Sequence, residues 1–233
     1  MIKAERQTLI LDYINGRELS IVEDMVQELN VPFTTVRRDL LELEEQGLII
    51  RVHGGAKPLR DKNVAEEMLD EKLVENIIAK KQIAAKALDC IKKGETIFLD
   101  AGSNTYYLSQ IIKPELELRI LTNSIINAQE LTKNGNNYVH ILGGRFKPKT
   151  GAIIGFEAVK SIQQYSFDLA FIGANAVDNE YNLYTTDDDE AQVKEQAIKQ
   201  SRFAFALADR SKFNSKSFIK FASKKEVTVI SED

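Results

Sequence analysis

The sequence predicts an α/β protein in two parts: a small head of three helices closed by a hairpin, and a larger body whose mostly parallel sheet is covered on both faces. Three observations predict it. Two short amphipathic stretches, around 20–29 and from 34 to a stop at Gly47, flank a proline-containing break; a glycine-bounded β-type hairpin follows at 48–57; and from Thr96 onward apolar runs alternate with helical periodicity.

A first helix is expected from about Ala4 to Asn15, with Leu9, Ile10, Tyr13 and Ile14 buried and Gly16 as its stop. Ser20-Ile21-Val22-Glu23 has the form of a capping box, opening a second helix with Ile21, Val22, Met25, Val26 and Leu29 inside. Asn30-Val31-Pro32 breaks the chain. In the next helix, at about 100° per residue, Val36, Leu40 and Leu43 share one face while Thr34 and Arg38 point away, with Thr35 and Arg37 on the flanks. Two short helices joined by a tight break are the parts of a helix-turn-helix, whose second helix enters a DNA major groove. Gly47 ends that helix. Leu48 to Val52, turned at His53-Gly54-Gly55-Ala56-Lys57, supplies a basic wing to lie along phosphates.

Thr34, Thr35, Arg37 and Arg38 are therefore the candidates for phosphates and base edges, and Arg51, His53, Gly54 and Lys57 for backbone. Charge does not point to DNA unaided. The net is −4 overall, and residues 1–58 hold seven basic against ten acidic side chains, so binding must rest on where charges sit. Four of those seven fall between Arg37 and Lys57.

Residues 59–72 lack a clear period and read as a linker between a head at 1–58 and a body at 73–233. One long helix is expected from Leu73 to Lys92. Strands follow at 96–99, 118–121, 139–142, 169–172 and 203–207, with helices at 105–112, 125–132, 156–164 and 190–200. His140, inside an apolar run, reads as a core histidine.

Small and polar residues gather directly after five strands, and in open α/β sheets ligands bind outside the carboxyl ends of the strands. Gly102, Ser103, Asn104 and Thr105 suit an anion through amides and hydroxyls, Lys212 adds charge, and Asp100 and Asp209 suit sugar hydroxyls. Thr122, Asn123, Gly143, Gly144 and Gly173 complete the expected pocket, whose ligand class is a phosphorylated sugar or polyol. The run Thr185 to Glu190 reads as acidic residues favoured at a helix start, not as a metal site, and Glu190 with Lys194 as a solvated i, i+4 pair. With two histidines far from other ligands, no metal or cofactor is expected.

Composition sets the class. With 233 residues, 43% hydrophobic and 28% charged, the chain suits one large or two ordinary domains of soluble composition. The lone Cys90 cannot form an internal disulfide, the start lacks an apolar signal core, and no apolar run approaches the ~20 residues of a membrane span. A cytoplasmic protein, neither exported nor inserted, is expected.

Taken together these residues resemble the DeoR family of bacterial transcriptional repressors. The head matches through Thr35-Val36-Arg37-Arg38-Asp39-Leu40, Leu43-Glu44, Gly47 and Val52 to Ala56. The body matches through Asp100 to Ser103, Thr122-Asn123, Leu142-Gly143-Gly144, Gly155, Asp168, Gly173-Ala174, Glu190-Ala191, Lys194, Asp209 and Ser211-Lys212-Phe213. The resemblance implies a winged helix-turn-helix joined to a sensor domain related to sugar-phosphate isomerases, with Glu190 and Lys194 among the effector residues. Its implied function is to repress a sugar-utilisation operon, releasing operator DNA when a phosphorylated sugar binds. Lys149 to Gly155, Thr185-Thr186-Asp187 and Ser217 to Ala222 look most like the fructose operon repressors of Gram-positive bacteria, which answer to fructose 1-phosphate. Pro32 stands where the family often has a capping Ser, so the recognition helix is expected to begin with proline as its first residue. Relatives often carry on beyond the position of Asp233, which would make the tail a trimmed one.

Paired half-sites imply a homodimer or homotetramer. The rival reading is an isomerase-like enzyme with a regulatory head, in which Asp100, Glu190, Asp209 and Lys212 supply acid, base and phosphate clamp.

Overall fold

The computed structural model describes residues 3–17, 19–46, 48–52, 54–58, 68–136 and 138–232, and the chain divides into two units, Met1–Lys62 and Asn63–Asp233. The first unit comprises α1 (Lys3–Asn15), β1 (Ser20–Ile21), α2 (Val22–Leu29), α3 (Phe33–Glu45), β2 (Ile49–Val52) and β3 (Gly55–Pro58). Ile10, Tyr13, Ile14, Met25, Val36, Leu40 and Leu43 form its core, as their helical spacing requires. Leu9 and Ile21, expected inside, are instead 46% and 45% exposed.

The capping box is not formed. Ser20 is buried in β1, opposite Ala56 of β3, and the Val22 amide is satisfied by the Gly54 carbonyl at 2.9 Å. The hairpin thus satisfies the first amide of α2, where no side-chain cap is formed. Gly55 is required there, because a Cβ would run into the Ser20 carbonyl. Asn30 takes a left-handed φ of 51° to end α2. Pro32 is the N-cap of α3 rather than its first residue: with ψ 142° its carbonyl accepts from the Thr35 and Val36 amides at 2.9 and 3.0 Å. Gly47 and His53 lie outside the described residues.

The second unit runs α4 (Leu69–Val74), α5 (Ile77–Leu88), β4 (Thr96–Leu99), α6 (Ser103–Ser109), β5 (Arg119–Thr122), α7 (Ile125–Lys133), β6 (Val139–Ile141), β7 (Arg145–Lys147), β8 (Ala152–Ile154), α8 (Phe156–Ile162), β9 (Phe167–Gly173), β10 (Ala176–Val177), β11 (Leu183–Thr185), α9 (Asp188–Lys199), β12 (Ser201–Leu207), β13 (Ile219–Ala222) and β14 (Thr228–Ile230). Six strands form one parallel sheet in the order β14-β12-β9-β4-β5-β6. Alternating side chains feed two cores, one on each face. Ile97, Leu99, Leu169 and Phe171 pack with α5, α6 and α7 residues, whereas Phe98, Ala170 and Ile172 pack with α8 and α9 residues.

Three expectations are corrected here. Residues 69–72, read as linker, open α4, with Leu69 buried; residues 59–67 lie outside the described residues. The long helix expected from Leu73 is broken at Asn76, whose φ of 48° is a conformation asparagine tolerates. His140 is exposed rather than core, because β6 is an edge strand paired only with β5. No helix among the described residues is long and apolar enough to cross a membrane.

Candidate functional site

In the head, α3 turns Val36, Leu40 and Leu43 inward and leaves Thr34, Arg37 and Arg38 exposed, with Thr35 half-buried. A fourth inward residue escaped the sequence reading. Asp39 has no exposure and accepts from Arg6 Nε at 2.5 Å and Arg6 Nη2 at 3.1 Å. The signal was available, since Asp39 follows Val36 by three positions on the same face. The Arg37 guanidinium lies 5.7 Å from the centre of the Phe33 ring, which steadies its stem. Phe33, Arg37, Arg51 and Gly54 border one groove between helix and hairpin. Arg51 also pairs with Glu44 at 3.3 Å, so part of its charge is already answered, while Lys57 and Gly54 are exposed.

In the body, chain order runs from β4 outward to β6 on one side and from β9 outward to β14 on the other, so strand order reverses between β4 and β9. Such a reversal opens a crevice at the carboxyl ends of the two strands. A hollow occupies it, walled by Ala101, Gly102, Ser103 and Asn104 after β4 and by Gly173, Ala174 and Asn175 after β9. Glu190, Lys194 and Lys212 complete the wall with three residues the sequence reading missed, Leu69, Lys72 and Thr150.

Behind the hollow lies a buried ion pair, so Asp100, expected to meet sugar hydroxyls, supports the pocket without bordering it. Lys194 of α9 reaches the Asp100 carboxylate and donates to the Gly173 carbonyl at 3.1 Å, while Asp100 also accepts from the Gly173 amide at 2.9 Å. Glu190 and Lys194 are 7% and 4% exposed, so the expected solvated pair is corrected: α9 presents both to the hollow. Glu190 accepts from Thr150 at 2.6 Å, Thr185 at 3.1 Å and Lys147 at 3.3 Å. Burial pushes its carboxyl up, but Lys194, Thr150, Lys147 and Thr185 outweigh that and hold it below the usual range. Asp187 caps α9 through the Glu190 amide at 3.0 Å. Among the described residues, no group of three or more His, Cys, Asp and Glu side chains could hold a metal ion.

The remaining expected pocket residues divide into supports and outsiders. Asn123 accepts from the Ala101 amide at 2.8 Å, Thr122 donates to the Leu99 carbonyl at 2.6 Å, and Thr105 donates to the Asp100 carbonyl at 2.6 Å. These three brace the loop behind the hollow rather than line it. Gly143 and Gly144 do not border it: both are solvent-facing, and Gly144 abuts the Ile154 carbonyl. Asp209 caps the turn Arg210–Lys212 and accepts from Asn76 at 3.3 Å, facing a separate hollow beside α5. Only Lys212, from the same turn, reaches the first one.

Two family descriptions match the chain: the DeoR-like helix-turn-helix domain over residues 6–61 and the DeoR C terminal sensor domain over residues 75–233. An uncharacterized HTH-type transcriptional regulator, FruR, of Bacillus subtilis (strain 168) is 38% identical over 233 residues, covering 100% of this chain and 92% of its own. The glycerol-3-phosphate regulon repressor of Escherichia coli (strain K12) is 29% identical over 233 residues, covering 100% and 92%. Among solved structures, a D-ribose-5-phosphate isomerase in complex with phospho-erythronic acid aligns over 57% of this chain and 52% of its own, with TM-score 0.43 and 19% identity.

Proposed function

Because the chain belongs to the DeoR family of DNA-binding transcriptional regulators, we propose that it represses a sugar-utilisation operon and leaves its operator when a phosphorylated sugar, fructose 1-phosphate, fills the hollow of the second unit. One observation carries the effector part. Lys72 and Lys212 line the same hollow as the Gly102 to Asn104 turn, and so does Glu190, whose carboxylate accepts from hydroxyls. Cations and amides suit a phosphate ester, while carboxylate and amide side chains suit sugar hydroxyls. The chain is a regulator rather than an enzyme, as its relatives are.

On the DNA side, Arg37, Arg38 and the flanking threonines meet the major groove, with the hairpin along the backbone. One recognition helix per chain reads one half-site, so the working form is a homodimer or homotetramer in the cytoplasm. Thermal-shift screening of the full chain tests the effector, with fructose 1-phosphate, fructose 6-phosphate and inorganic phosphate side by side. Fructose 1-phosphate is expected to raise Tm most and to weaken binding to the protein's own upstream DNA. No stabilisation by any phosphorylated sugar would overturn the reading.

A further inference from the structure

Helix α4 has six residues, too few to hold together alone, so its stability must come from its attachments. Four attachments fix it. The Leu69 amide donates to the Lys149 carbonyl at 2.9 Å, and Tyr107 Oη donates to the Leu73 carbonyl at 2.8 Å. Lys80, only 2% exposed, donates to the carbonyls of Lys72 and Glu75 at the far end. Asn76, just beyond, donates to Asp209 Oδ1 at 3.3 Å and to Ser211 Oγ at 3.4 Å.

Three of these anchors sit on the segments that wall the hollow. Lys149 adjoins Thr150, Tyr107 lies on the helix that begins with Ser103 and Asn104, and Asp209 and Ser211 belong to the turn ending in Lys212. The helix itself contributes Leu69 and Lys72 to that wall. Gly151, whose φ of 65° favours glycine, lies beside Leu69: a Cβ there would stand 2.9 Å from Leu69 Cδ2. Among the described residues, α4 is the first helix that follows β3 in chain order.

We propose that α4 is the sensing element of the regulator: the anionic group of the effector engages Lys72 as well as Lys212, so an occupied hollow stabilises the docked helix and passes its state to the segment leading to the head. The proposal rests on the effector reading above and adds the route by which occupancy leaves the hollow. A ligand shifts an equilibrium only by binding one arrangement better than another, and contact with a marginal helix supplies that difference.

Hydrogen exchange on the full chain, with and without saturating fructose 1-phosphate, fructose 6-phosphate or inorganic phosphate, tests it. Sugar phosphate is expected to slow exchange about fivefold or more both at 101–104 and at 69–74. In Lys72→Ala the protection at 69–74 is expected to vanish while that at 101–104 remains. Tyr107→Phe and Asn76→Gly remove anchors without touching the hollow, and Gly keeps the left-handed backbone. Each is expected to raise the effector concentration for half-release of DNA by about fivefold or more. Protection at 101–104 without any at 69–74, or wild-type release in both anchor variants, would overturn the role of α4 and leave the effector reading standing. Protection nowhere, with any of the three probes, would remove both.

Discussion

Lys194 and Asp100 form an ion pair in which the side chains are 5% and 2% exposed, one held mid-helix on α9 and the other at the end of β4. Both side chains are largely withdrawn from solvent, so removing one partner leaves the other poorly compensated. Lys194→Met is therefore expected to destabilise the second unit by about 3–5 kcal/mol, as uncompensated buried charges do. Denaturant unfolding measures it, and a loss below about 1 kcal/mol would mean the pair is screened like a surface one.

On α3, Arg37→Ala with Arg38→Ala removes two exposed cations without disturbing the core. DNA affinity is expected to fall, and the slope of log affinity against log salt to shrink by about 1–2, near 0.9 per lost phosphate contact. Fluorescence anisotropy at several salt concentrations reads both. Unaltered affinity and slope would mean that α3 does not face DNA.

Lys212→Ala separates the two activities. DNA affinity without effector is expected to stay at the wild-type level, while fructose 1-phosphate binds about 10–100-fold more weakly, the worth of one charge-assisted hydrogen bond. Calorimetric titration alongside anisotropy checks this, and unchanged effector affinity would take Lys212 out of the site.

Acid stability has a specific source in Asp178. Burial pushes its carboxyl up, but hydrogen bonds from Asn182, Tyr184 and the Glu180 amide prevail, so it falls from an ordinary 3.8 to about 2. A carboxyl depressed in the folded state adds stability that is complete above the unfolded value and is lost as pH falls through the folded one. Asp178→Asn is expected to destabilise the protein at pH 7, with the difference from wild type shrinking between about pH 4 and pH 2. A difference constant across that window would assign the effect to packing instead.

Much of this architecture is legible in sequence because burial leaves a period. The inward face of α3, the alternation of Ile97, Phe98 and Leu99, and the polar loops after β4 and β9 follow from spacing. What spacing cannot separate is equal geometry in different surroundings: Glu190 and Lys194 stand four apart, as surface pairs do, and only the sheet reversal makes them an inner wall. Asp209 and Lys212 share one turn yet face different hollows. Residues 69–72 looked like linker because α4 is too short to show a period and is held by groups distant in sequence, Lys149 and Tyr107 among them.

Asp39 also restricts how the head reads. Its carboxylate receives two donors from Arg6 across the core, so rolling α3 about its axis would drag a charge through an apolar interior. The bond acts as an angular key, indexing the outward face of the helix to the rest of the head. In the docking proposed above, base preference is then expected to follow the identities at positions 34, 35, 37 and 38 rather than the helix's orientation. An exchange of those side chains between relatives that keep the key should carry base preference with it and leave the supporting scaffold alone.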